Sequence, residues 1–179
     1  MLNKETAVLL VIDVQGKLAQ LMHNKEALFD TLQRMIKGAK LLAMPIVWIE
    51  QNPKGLGPTI PEVAQLLKDY TPVEKHSFSC CGNTSFMESL NTVKRSQILI
   101  TGIETHICVY QTVMDLLALK YEVQVVVDGV SSRTPENKQL ALNKMQAAGA
   151  TLTSTEMALF ELLKVAEGEA FKEILKIIK

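Results

Sequence analysis

Long apolar runs are missing from this chain of 179 residues, and none approaches the ~18 positions of a membrane-crossing helix. No membrane association is predicted. An excess of one charge is missing too. Lys and Arg number 19, Asp and Glu 19, and the formal net charge is zero. That balance argues against a nucleic-acid partner, which needs a basic face. Cysteine is scarce: Cys80, Cys81 and Cys108 are the whole supply, and no CxxC occurs. An odd count in a chain this long is not a disulfide framework, and adjacent Cys80 and Cys81 could bridge only with strain. A reducing, cytoplasmic setting is therefore expected. His23, His76 and His106 are scattered without the spacing of metal ligands. We expect no metal and no other cofactor. The segment PKGLGP lacks the spacing of a phosphate-binding loop. No repeat or low-complexity segment appears.

What is present is alternation. Ala7–Ile12 (AVLLVI) is continuously apolar, as in a strand buried on both faces. Asp13 interrupts the opening apolar run and no small-residue cleavage site follows, so this is read as a strand and not a secretory leader. Leu28, Leu32, Met35, Ile36, Ala39 and Ala43 recur at helical spacing, and Pro45 stops that helix. Ile46–Glu50 is a second strand, followed by the Gly/Pro loop QNPKGLGPT. Thr59 and Glu62 read as a capping box that opens a helix to about Tyr70. A short third strand lies near Val73, and a weaker helix spans about 83–93. The rhythm then repeats: strand Gln97–Gly102, helix Thr105–Lys120, strand Glu122–Asp128. A helix begins at Thr134-Pro135 and ends near Gly149. A short strand covers Ala150–Thr153, and Thr153 with Glu156 forms a second capping box. A C-terminal helix from about 167 puts Phe171, Ile174, Leu175 and Ile178 on one face.

This order predicts one domain over residues 1–179, a doubly wound α/β fold. Its six-stranded, mainly parallel sheet would lie between two helical layers. In such sheets ligands bind beyond the carboxyl ends of the strands, at the topological switch point. Candidate site residues should therefore stand at strand ends, and three do. Asp13 ends the first strand, Lys75 ends the third, and Cys108 follows the fourth in the first turn of its helix. They suggest a base, a cation and a nucleophile. A helix start and a nearby ammonium would both lower the thiol pKa. Gln15, His76 and His106 are candidate substrate contacts, although each histidine reads equally as packing beside the site.

These segments resemble the isochorismatase-like cysteine hydrolase superfamily, which includes nicotinamidases and N-carbamoylsarcosine amidase. LLVIDVQ is similar to the first-strand signature with its basic Asp, EKHSFS to the Lys segment, and GIETHICVYQT to the nucleophile segment. The likeness in element order runs from Ala7 to Val165. It implies a Rossmann-like three-layer α/β/α sandwich and an Asp13–Lys75–Cys108 triad. It also implies a non-proline cis peptide at Ile103–Glu104, an oxyanion hole from the N–H groups of Glu104 and Cys108, and a homo-oligomer. The chain departs from nicotinamidases, which carry histidine metal ligands after the second strand, where this sequence has none. It departs from isochorismatase itself, which lacks the cysteine. The resemblance thus points to a metal-independent hydrolase of a small amide-like or related C–N substrate. A binding scaffold of the same fold, or a thiol redox protein pairing Cys108 with Cys80 or Cys81, is the alternative.

Overall fold

In a computed structural model describing residues 1–179, β1 (Ala7–Ile12) runs through the centre of the molecule with every side chain buried. Ala7, Leu9 and Val11 face one apolar core, and Val8, Leu10 and Ile12 face the other. A strand that feeds two cores has no polar face, hence its unbroken apolar sequence. The chain continues through a short α1 (Gly16–Gln20) into α2 (Lys25–Leu41), which buries Leu28, Leu32, Met35, Ile36 and Ala39. Next come β2 (Ile46–Gln51), two single-turn helices α3 (Pro53–Leu56) and α4 (Pro61–Ala64), and β3 (Val73–Lys75). After α5 (Thr84–Val93) and β4 (Gln97–Ile103), a π-turn over Thr105–Val109 opens into α6 (Tyr110–Ala118). The rest is β5 (Glu122–Ser131), α7 (Pro135–Ala147), β6 (Thr151–Thr153), α8 (Thr155–Leu163) and α9 (Gly168–Ile178).

All six strands are parallel, in the order β3-β2-β1-β4-β5-β6. Helices α2, α8 and α9 cover one face, while α5, α6 and α7 cover the other. The result is a three-layer α/β/α sandwich. Winding proceeds outward from β1 in one direction, then returns to its other side at β4. The switch point therefore lies between β1 and β4, where a crevice opens at the carboxyl ends. Helix α9 packs on α2 and buries Ile174 completely, so the apolar face of the tail is spent within its own chain.

Several local expectations are corrected. The helix after Thr59 does not reach Tyr70, since α4 is a single turn ending at Ala64. Thr59 caps nothing, because the buried Glu50 carboxylate takes both its N–H and its hydroxyl at 2.7 Å. Ser154, not Thr153, caps α8 by accepting from the Met157 N–H. Part of the Gly/Pro loop is helical as α3, and β5 runs on past Asp128 to Ser131.

Candidate active site

Asp13 leaves the sheet directly after β1 with φ at 54°, in the left-handed region that aspartate tolerates better than most residues. The turn is held tight: Gln15 N–H donates to Asp13 O at 2.8 Å. Gly16 follows with φ at 44°, and a Cβ there would lie 2.1 Å from Leu56 O. Glycine thus lets α3 close over the turn. On the other side of the switch point, Gly102 has φ at 117° and would place a Cβ 2.1 Å from Ile12 O. It brings the end of β4 against the end of β1. The peptide bond between Ile103 and Glu104 is cis. The π-turn that follows hands Cys108 back toward Asp13, with Val109 N–H donating to Glu104 O at 3.2 Å. Single π-type turns within helices are uncommon and occur often at functional sites.

Lys75 ends β3, two strand spacings from β1, or about 10 Å. Only a long side chain crosses that gap. Its Nζ passes over the end of β2 and meets Asp13 Oδ2 at 2.8 Å. Gln51 Oε1 at 2.6 Å and the carbonyl oxygens of Ser77 and Phe78, each at 3.1 Å, complete its surroundings. Both charged side chains are almost sealed, at 0% and 2% exposure. A buried charge is tolerable only when paired and hydrogen-bonded, and the Lys75 ammonium is both.

Asp13 is less well served. Its Oδ1 is buried and takes no hydrogen bond from Lys75 or the backbone, which leaves the Cys108 thiol as the other donor beside the carboxyl. Burial holds the carboxyl above the usual aspartate range, against the opposing pull of Lys75. Cys108, itself 7% exposed, stands close enough to sense both charges. Its thiol is pushed up to about 12, chiefly by burial and then by the Asp13 charge, with Lys75 offsetting only part. This corrects the expectation of a lowered thiol pKa. The ammonium is in place, but desolvation and the Asp13 carboxylate outweigh it. Burial and the Asp13 charge thus favour the protonated thiol. Alkylation of Cys108 by iodoacetamide should keep accelerating as pH rises to the alkaline limit of the fold. A rate plateau below pH 8 would reveal a stabilised thiolate instead.

A cavity of about 100 Å³ opens beside these groups, walled by Leu18, Leu56, Phe78, Ile103 and Ile107, with Asp13, Gln51, Glu104 and Cys108 also reaching it. Three expected contacts do not reach it. Gln15 is fully buried, and its amide donates to Gln51 O and Gly57 O and accepts from Gln51 N–H. It braces the turn instead of touching ligand. His76 is the first residue beyond β3 and is exposed to solvent. His106 is held by Ser132 Oγ at 2.9 Å, outside the cavity wall. Sequence reasoning missed Gln51, which shares the Lys75 ammonium with Asp13. It also missed Arg133, whose Nε donates to Glu104 Oε1 at 3.0 Å. Neither stands in a motif, and only the register of β2 beside β3 could have flagged Gln51.

Residues 7–157 match the model of the isochorismatase domain. The isochorismatase domain-containing protein 2 of Xenopus laevis is 39% identical over 99% of this chain and 85% of its own length. A Caenorhabditis elegans structure described as the MAR1 ribonuclease superposes with a TM-score of 0.92 at 36% identity, covering 99% of this chain and 91% of that one. The Escherichia coli YcaC gene product, described as an octameric hydrolase of unknown specificity, reaches a TM-score of 0.93 at 20% identity, over 98% and 89% of the two chains. That last likeness speaks for the fold alone. Domain match, full-length identity and the sheet with its switch-point crevice agree: the chain belongs to the isochorismatase family of hydrolases.

Proposed function

We propose that this chain is a metal-independent cysteine hydrolase acting on a small amide-like or related C–N substrate. One observation carries the reading. Asp13 Oδ1 is buried and takes no hydrogen bond from Lys75 or the backbone, the Cys108 thiol stands beside the carboxyl, and Lys75 holds the other oxygen. An unmet buried acceptor costs about 1–3 kcal/mol. The Cys108 proton is the donor placed to meet it.

In the proposed cycle Asp13 takes the thiol proton as sulfur attacks the substrate carbonyl, and an S–C bond forms. The developing oxyanion is received by the N–H groups of Glu104 and Cys108, and the Glu104 N–H has no other acceptor in the chain. Asp13 then returns the proton to the leaving nitrogen, the C–N bond breaks, and a thioester remains on Cys108. Water, deprotonated by Asp13, releases the acid and restores the thiol. Lys75 orients Asp13 and offsets its charge throughout.

Metal independence is argued from the residues at the end of β2. Glu50 is engaged by Thr59, and Gln51 by Lys75. No three His, Cys, Asp or Glu side chains come together as a ligand set. Self-association is part of the proposal, as the family resemblance implies, and so is a reducing compartment, given three free cysteines. The ribonuclease name of the C. elegans relative is not carried over. The cavity, at about 100 Å³ and with no cation in its lining, suits neither a nucleotide nor its phosphate.

The test is a panel of small amides with ammonia release as one readout and the intact mass after acid quench as the other. A thioester adduct mapped to Cys108, and turnover unchanged after exhaustive dialysis against a chelator, are the expected results. Ammonia release that a chelator abolishes and a divalent metal restores would replace this mechanism, and absence of both adduct and ammonia would end it.

A further inference from the structure

The cavity wall specifies more than a reaction type. Its apolar residues, Leu18, Leu56, Phe78, Ile103 and Ile107, come from α1, α3, the segment after β3, β4 and the π-turn, so five parts of the fold converge to exclude water from one side of Cys108. No Lys, Arg or His lines the space. The nearest cations are already committed. Lys75 is sealed at 0% exposure within its shell of oxygens. Arg133 donates to Glu104 from outside the wall. The two acidic residues that do reach the cavity, Asp13 and Glu104, are 1% and 6% exposed. A substrate carboxylate entering here would lose its hydration, stand close to the Asp13 carboxylate and find no free cation. Isolated charges are not buried on such terms. An uncharged alkyl chain meets the opposite situation, since it gains contact with five apolar side chains.

Size sets the second limit. A volume of about 100 Å³ is about two-thirds of the roughly 150 Å³ that an apolar cavity needs to take up one benzene. Resting on the hydrolase reading above, we propose that the site is built for a short, uncharged aliphatic carboxamide, with an acyl chain of about two to four carbons, and that it rejects substrates bearing a carboxylate. Phe78, more than half exposed yet part of the wall, sets the length limit. The reaction balances as amide plus thiol giving thioester and ammonia, then thioester plus water giving carboxylic acid and thiol.

A matched pair tests the charge rule. Succinamate is butyramide with its terminal methyl replaced by a carboxylate. For the full chain, kcat/KM for butyramide should exceed that for succinamate by at least a hundredfold, and that for hexanamide by at least tenfold. Phe78→Ala should raise hexanamide relative to propionamide by about tenfold. A second measurement needs no turnover. Iodoacetamide and iodoacetate are a neutral and an anionic reagent of nearly equal size. Their rate ratio at Cys108, resolved by peptide mass spectrometry and divided by the ratio at free cysteine, should exceed ten. Turnover with succinamate within threefold of butyramide would overturn the pocket proposal and leave the hydrolase reading intact. Absence of turnover with a reagent ratio above ten would do the reverse. A reagent ratio near one would overturn the pocket proposal whatever the turnover.

Discussion

Replacing Asp13 by asparagine should lower kcat for any amide substrate by about 10²–10⁴-fold, the range a positioned general base supplies. Cys108→Ala should cost at least as much. The double variant should be no worse than Cys108→Ala alone, because a base has nothing to do once the nucleophile is gone, and residues acting as a unit are not additive. The pH profile carries a further signature. Asp13 must be ionised to accept the thiol proton, and burial raises its pKa. Activity should therefore fall on acidification with a midpoint above that of an ordinary aspartate, and Asp13→Asn should remove that limb from whatever activity survives. Multiplying losses in the double variant would mean that the two side chains work independently, which the proposed proton transfer does not allow.

The buried elements were legible in the sequence because burial writes itself into composition. β1 feeds two cores, so its six positions are all apolar, and α2 shows its buried face at helical spacing. Once alternation implied a parallel sheet, the switch-point rule alone directed attention to strand ends. There the structure brings Asp13 and Lys75 into contact, with Cys108 beside them. What stayed hidden depends on partners distant in sequence. Thr59 has the local signature of a cap, yet it serves Glu50 because β2 carries a buried carboxylate that needs two donors. Gln15 sits two residues from Asp13 and looks like a ligand contact, yet its amide is consumed by the backbone of Gln51 and Gly57. The thiol illustrates the same limit in energetic terms. Helix start and lysine are readable as positions, whereas desolvation by the surrounding core is not, and desolvation decides the direction of the shift.

Lys75→Met should be the most destabilising single change at the site. Methionine matches the length of the lysine stem but leaves the Asp13 carboxylate, along with Gln51 Oε1 and two carbonyl oxygens, buried without the ammonium. Breaking a buried pair by removing one partner costs about 3–5 kcal/mol. For a chain of this size that is a fall in Tm of about 6–20 °C. The sign of the pH dependence follows from Asp13. Its folded pKa is already raised, so protonation favours the fold, and that contribution is present at low pH and lost as pH rises through the folded value. Without Lys75 the carboxyl is raised further. The deficit of Lys75→Met relative to the parent should therefore be largest near neutrality and narrow on acidification, as Asp13 takes up a proton. Adding Asp13→Asn removes the stranded charge altogether. The double variant should recover most of the loss in urea unfolding at pH 7, although it will be catalytically dead. Additive destabilisation in the double variant, with a deficit independent of pH, would show that Lys75 stabilises the fold through packing and not through the charge of Asp13.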